Sequence, residues 1–587
     1  MNIKPLIVKS YLESLTEESE LNRIFPILLT SLNFDILSKP TENKGLQEFG
    51  KDIIAVGKDV FVDKDDVGYG KKKRFYFELK GGADRDVSKA TFYKEYGIFQ
   101  SLTEAKLVDF KSDYQDFDSL PKKIVLVHNG ILKGNIRDVY DGFLKQEFPK
   151  DGVNEYDRWD IEKLTELFTD NLFGAFLLTD VKTTNLFNKV LINLNASNHV
   201  SSDFIDLLDA LFEKEKWEGY KTKLNRKWEM LFETLKLISF IVYTEAKEYN
   251  NFDLSKRYLT HLIIRYWYWI LKNKLETDKK VLGYFTQTLD FYRSVLTEYF
   301  QRTLGIAVIN NGLSSESSGR YEQIGYTKRT FEYLQYLCLM LSSIEGDDLD
   351  HKQSIKEVII KVLNANSVSM RPLLDVNSIP IIDVINLLVF AGDKASAINY
   401  LKGVIFYIKN GKEKYGRLPD ANNSYKSVIR FTLTHEKPVY YSDSTSPLLA
   451  VIMEYIAIFE LEEEYYDVRK FLIENKIDIG IFTPHHGIYS TSKNLIENNE
   501  DDLEEQLFSN PHFNDGYQHD ISLFEDLNKD LSFEKFKEEF AKRKDEFQYE
   551  YRTDKAGLSF LKDLAHIYFQ TPYFPDKWRE IELENCL

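Results

Sequence analysis

Apolar residues change their spacing about a third of the way along this chain. Before that point, short runs of period two alternate with runs spaced three and four residues apart; beyond it the helical spacing holds almost throughout. Leu21, Ile24, Phe25, Leu28, Leu29 and Leu32 fall on one helical face, with Ser14 or Thr16 as the N-cap. Phe34 to Ser38 reads as a short strand, Lys39 to Gly45 as a loop, and Asp52 to Val56 as a second strand. A polar, glycine-bearing hairpin region, Asp63 to Gly70, leads into a third strand, Arg74 to Lys80. There Phe75, Phe77 and Leu79 alternate with Tyr76, Glu78 and Lys80, and Gly81-Gly82 ends the run. The pattern continues as a helix (Ser88 to Val108), a buried strand (Lys123 to His128), a helix (Ile131 to Gln146), a strand (Asn154 to Trp159) and a helix (Ile161 to Phe168). The order α-β-β-β-α-β-α-β-α describes an α/β domain over 1–180.

The remaining two-thirds reads as helices, among them Asp203–Trp217, Leu224–Lys247, Leu254–Lys272, Val281–Thr303 and Leu448–Asn475. Helical regions over 181–309 and 321–480 flank a polar loop or linker at 310–320, and 481–587 adds helical and loop segments. Long helices joined by short connections favour a large all-α region, as helical hairpins, a solenoid or a bundle. No fixed repeat period appears. Four consecutive aromatics, Tyr266 to Trp269, point all around a helix, which suits core and interface better than a base-stacking platform.

Composition narrows the class. With 43% apolar residues, 41 Phe and 36 Tyr against 14 Pro, the chain of 587 residues is a folded globular protein of at least two domains. The two cysteines, Cys338 and Cys586, keep no metal or redox spacing, which fits a reducing cytoplasm. No secretory leader opens the chain. His261 and Arg265 interrupt its longest apolar stretch, so no membrane association is expected. The net charge of −17 works against nucleic-acid binding by bulk attraction. The local basic run Lys71-Lys72-Lys73-Arg74 is therefore the candidate phosphate contact, set against a reading as gatekeeping charges ahead of a sticky strand.

The candidate chemistry lies on the third strand. Glu78 and Lys80 project from one face, about 6–7 Å apart along it. Asp52 leads the preceding strand, after Gly50-Lys51, and pairing of the two strands could bring both carboxylates to one point. Unneutralised, they would repel; a hard dication such as Mg²⁺, with Mn²⁺ as substitute, suits them.

A helix carrying an acid, a lone Asp after Gly-Lys, E-x-K on the next long strand, and a helix bearing Gln together resemble the PD-(D/E)XK superfamily, the restriction-endonuclease-like nucleases. The resemblance covers about residues 10–170. It implies that Asp52 and Glu78 hold Mg²⁺, that Lys80 orients or activates the attacking water, that Glu20 in the first helix supports the metal site, and that Gln100 lies beside it. Lys51 stands where the name of the superfamily puts a proline. The resemblance also implies phosphodiester cleavage, in DNA by superfamily habit and with RNA as the alternative. The helical region would then sense a trigger, bind a protein partner or form a homo-oligomer, an organisation frequent in prokaryotic antiviral defence.

The competing reading is a non-enzymatic helical scaffold or adaptor carrying a degenerate nuclease-like domain. The intact Asp52, Glu78 and Lys80 set argues against it. His128, at the end of a buried strand, is expected to be a satisfied turn histidine, and His485-His486 a loop pair without ligand partners. No P-loop sequence is present.

Overall fold

The computed structural model describes residues 4–17, 21–38, 50–149, 154–173, 183, 185–187, 189–190, 199–213, 226–315, 322–343, 349–477, 479, 500–509, 532–546, 551–570 and 577–581. The chain divides into two compact units, Met1–Asn250 and Asn251–Leu587.

The first unit is built on five strands, β1 (Asp35–Ser38), β2 (Ile53–Lys58), β3 (Lys72–Lys80), β4 (Lys122–His128) and β5 (Asn154–Trp159), lying side by side in sequence order. β1, β2 and β3 form an antiparallel meander; β4 and β5 then run parallel to β3. The switch follows from the connections. A polar loop suffices to turn β2 back as β3, whereas the parallel pairs need helical crossovers. These are α3 (Lys89–Tyr93) with α4 (Ile98–Leu107), and α5 (Arg137–Glu147). Also packed about the strands are α1 (Lys4–Ser14), α2 (Asn22–Ser31) and α6 (Ile161–Phe168).

Period-two alternation assigns the sheet two apolar faces. Ile54, Val56, Tyr76, Ile124 and Leu126 are buried with Phe92, Ile98, Leu102, Tyr140 and Phe143 from α3, α4 and α5. On the opposite face Phe25 of α2 packs edge-on against Phe77 and Trp159, at 5.3 and 6.0 Å between ring centres, and Phe34 against Phe75 at 4.9 Å. Each such ring contributes roughly 1.5–3 kcal/mol by its burial.

Several elements differ from the sequence reading. A helix precedes the expected first one: α1, whose Tyr11 hydroxyl donates to Glu233 at 3.3 Å. The single helix expected over Ser88–Val108 is two, because Tyr96 takes a left-handed conformation (φ 57°) and Gly97 starts α4 afresh. Ser88 caps α3 by accepting from the Thr91 backbone N–H. The helix expected from Ile131 is α5, which starts six positions later at Arg137. The compact unit also runs past residue 180, taking in a helix at Arg226–Glu248.

The second unit is helical among its described residues. The helix expected over Leu448–Asn475 is split into Pro447–Ile458 and Glu462–Asn475, with Glu460 left-handed between them (φ 59°). Tyr266, Trp267 and Trp269 are buried, and the Trp267 indole donates to Thr553 at 2.9 Å, so these aromatics are core. In the polar tract at 310–315, the Asn311 backbone N–H donates to the Ala365 carbonyl at 2.7 Å. No helix among the described residues is long and apolar enough to cross a membrane.

Candidate functional site

The antiparallel register of β2 and β3 sets Ile53 opposite Phe77 and Ile54 opposite Tyr76, so the residue before β2, Asp52, stands across from Glu78. The Asp52 backbone N–H donates to the Phe77 carbonyl at 2.9 Å, extending the ladder by one step. The Asp52 carboxylate accepts from the Leu79 backbone N–H at 2.6 Å, which fixes its orientation. Two residues further along β3, the Lys80 ammonium lies 2.8 Å from Glu78 Oε1. Asp52, Glu78 and Lys80 are all buried. The expected trio is therefore gathered at one end of the sheet.

A fourth charged group joins them. Glu17, just past the end of α1, places Oε1 3.6 Å from Lys80 Nζ and accepts from the Gly81 backbone N–H through Oε2 at 3.3 Å. Glu20, the acid expected there, lies outside the described residues. The stretch Thr16-Glu17-Glu18-Ser19-Glu20 announced that an acid would be near.

The electrostatics show an imbalance. Among the described residues three carboxylates lie about one ammonium, those of Asp52 and Glu78 buried and that of Glu17 partly exposed. Burial, and then the neighbouring Glu78, push the Asp52 carboxyl well above the ordinary carboxylate range. Burial likewise raises Glu17, with Lys80 opposing. Burial alone would lower the Lys80 ammonium, but Glu78, Glu17 and Asp52 hold it above the usual lysine value. In this arrangement Lys80 is a fixed cation and a donor, not an acceptor of protons.

The residues present fit a small dication in a limited sense. Among the described residues no three Asp, Glu, His or Cys side chains are grouped so that they could hold a metal ion. Mg²⁺ needs fewer: one or two carboxylates, with water and substrate oxygens completing its octahedron. Asp52 and Glu78 supply those two.

The neighbours of the trio are structural. Gly50 is left-handed (φ 68°), and a Cβ there would lie 1.9 Å from the Ser101 carbonyl oxygen, so only glycine lets the start of β2 pass under α4. Lys51 reaches away from the acids to the Val108 carbonyl at 2.9 Å, and burial with nearby Lys122 lowers its ammonium to about 8. Gln100 does not bond to the trio. Its amide donates to Glu104 at 2.8 Å and accepts from the Tyr96 backbone N–H at 3.1 Å. With Phe92, Tyr93, Lys94 and Phe99 it lines a groove of about 630 Å³. His128 sits beside Lys80 in the β3–β4 register, pairs through Nδ1 with the Arg85 carbonyl at 2.9 Å, and is held neutral by burial, its imidazole lowered to about 4.

The basic run lies at the far end of β3 and is divided among different roles. Lys71 is exposed. Lys72 donates to the Tyr114 hydroxyl at 2.7 Å. Lys73 is buried against Asp59 at 2.9 Å and also pairs with Glu155. Arg74 lies 3.8 Å from both Asp109 and Asp118, over the Phe117 ring. His485 and His486 fall outside the described residues.

Compared with known proteins, the chain matches no family model, no curated protein and no solved structure. Its reading rests on the site itself.

Proposed function

We propose that the first unit is a metal-dependent endonuclease of the PD-(D/E)XK kind, with Asp52 and Glu78 holding Mg²⁺ and Lys80 acting on the reacting phosphate. The observation that carries this reading is the buried pairing of Asp52 with Glu78 across β2 and β3, with Lys80 two positions on from Glu78. The strand order agrees with it: an antiparallel meander followed by a parallel strand through a helical crossover.

The chain's own groups have separable tasks. Leu79 N–H fixes the Asp52 carboxylate before any ligand arrives, so its orientation need not be set during binding. Lys80, kept charged by the acids around it, donates to a water or phosphate oxygen and offsets negative charge that develops on the phosphorus centre. Mg²⁺, when bound, would polarise the scissile phosphate and lower the pKa of a coordinated water. Glu17, 3.6 Å from the Lys80 ammonium, restrains it from the end of α1.

DNA is the proposed substrate, by the habit of the superfamily this domain resembles. The helical unit is proposed as the sensing, partner-binding or oligomerising part of an antiviral defence effector, by analogy with such fusions. The test is cleavage of circular DNA and of a structured RNA by the purified chain in Mg²⁺, Mn²⁺ and EDTA, beside Glu78→Ala. Metal-dependent cutting that the variant loses supports the reading. Cutting that survives in Glu78→Ala overturns it.

A further inference from the structure

The sequence His128-Asn129-Gly130 ends β4 next to the site, and the function proposed above gives it no role. Asn129 is fully buried. Its backbone N–H points to the Lys80 carbonyl at 3.4 Å, continuing the β3–β4 ladder past its last residue pair. Its side-chain amide donates to two carbonyls at the end of α1, Leu12 at 2.6 Å and Leu15 at 2.9 Å. Only the NH₂ side of an amide can serve two carbonyl oxygens, so these contacts settle which way the group points. The Leu12 carbonyl also accepts from the Leu15 backbone N–H at 3.2 Å, so the strand end adds a second donor where the helix stops.

The end of α1 is also where the chain turns toward Glu17. Leu15 offers its carbonyl to the Gly82 backbone N–H at 3.3 Å, and Glu17 accepts from Gly81. A Cβ on Gly81 would lie 3.0 Å from the Glu17 nitrogen, so the two backbones touch at this point. Asn129 thus bonds at one end to Lys80 and at the other to the turn that carries Glu17.

We infer that Asn129 is a positioning residue: by clasping the end of α1 to the end of β3 it sets the Glu17 carboxylate against Lys80. The consequence for the metal rests on the function proposed above; the placement of Glu17 does not. The bland alternative is that Asn129 merely caps α1 and stabilises the fold. The two differ in what happens once Glu17 is gone. A positioning residue has nothing left to position, while a cap keeps its full effect.

The experiment uses the full chain as wild type, Asn129→Asp, Gly81→Ala, Glu17→Ala and the Asn129→Asp/Glu17→Ala double variant. It reads Mn²⁺ titration and the exchange rate of the Gly81 amide. Asn129→Asp keeps the shape but removes both donors. It is expected to raise the half-saturating Mn²⁺ concentration about tenfold, as loss of an outer-shell partner does, and to leave it unchanged within about twofold when Glu17 is already alanine. Gly81→Ala should weaken Mn²⁺ binding in the same direction, and it carries the test if Asn129→Asp fails to fold. An equal effect of Asn129→Asp in both backgrounds, or wild-type Mn²⁺ binding in Gly81→Ala, overturns the inference. If wild type binds no Mn²⁺, the nuclease reading fails and the Gly81 amide decides alone. Faster exchange in Asn129→Asp, with no further gain over Glu17→Ala in the double variant, sustains the positioning role; equal acceleration in both backgrounds refutes it.

Discussion

Strand β3 carries a cluster of buried charge at each end, and the two differ in one respect. At its start Lys73 and Lys123 both bond the buried Asp59, at 2.9 and 2.8 Å, with Glu155 and Asp157 at the rim. Burial would raise Asp59, yet Lys123 and Lys73 bring it below the ordinary carboxylate range. Burial would lower Lys73, yet Glu155 and Asp59 raise it. Each charge there is satisfied by its neighbours. At the other end, among the described residues, Asp52, Glu78 and Glu17 share the cation Lys80, and Asp52 is driven toward its protonated form. The first cluster sets three carboxylates against two ammonium groups, every one of them in an ion pair. Among the described residues the second sets three against one, and the proposed Mg²⁺ site rests on that larger excess.

The comparison is broken most severely from the end proposed to act on phosphate. Asp52→Ala or Glu78→Ala should lower metal-dependent cleavage by at least about 10³-fold, with Lys80→Ala following at roughly 10²–10³-fold through rate more than binding. Circular dichroism should show all three folded. Next in size is Asp59→Ala, which removes the carboxylate shared by two buried ammonium groups and leaves each with one partly exposed acid, and should cost about 3 kcal/mol in denaturant unfolding. Cleavage per folded molecule should be unchanged by it.

The sharpest contrast comes from neutralising one acid at each end without metal. Asp52→Asn relieves an excess and should raise stability by about 1 kcal/mol, or roughly 2–4 °C in melting temperature for a unit of this size. Asp59→Asn should lower it. Saturating Mg²⁺ should reverse the first result, since binding to the native state at about a hundred times Kd contributes ~2.7 kcal/mol to wild type. The pH dependence of Asp59 follows from its lowered folded pKa. Its stabilisation is complete above the unfolded value near 4 and is lost as pH falls further. Acid unfolding of wild type and Asp59→Asn should therefore converge below about pH 4. The smallest effect is at Lys71, where exposure predicts a stability change within about 0.5 kcal/mol for Lys71→Ala.

The sequence made the gathering of Asp52, Glu78 and Lys80 legible because alternation is local. Tyr76, Glu78 and Lys80 had to share a face of β3, and Gly-Lys-Asp before an apolar run placed Asp52 at the start of its neighbour. Glu17 was not legible, because its place depends on where α1 stops and on a contact with Gly81 across 64 positions. Nor was the break at Tyr96, since tyrosine rarely adopts the left-handed conformation and carries no turn signal. The basic run looked like one patch. Pairing partners up to 82 positions away turned Lys73 into core and left Lys71 at the surface.

Metal titration by calorimetry tests the central claim most directly, because it reads the charge imbalance without needing a substrate or a trigger. The account predicts that wild type binds Mg²⁺ or Mn²⁺, that Asp52→Ala and Glu78→Ala lose that binding, and that Asp59→Ala retains it. Wild type without metal binding, or binding that survives loss of both Asp52 and Glu78, would contradict it.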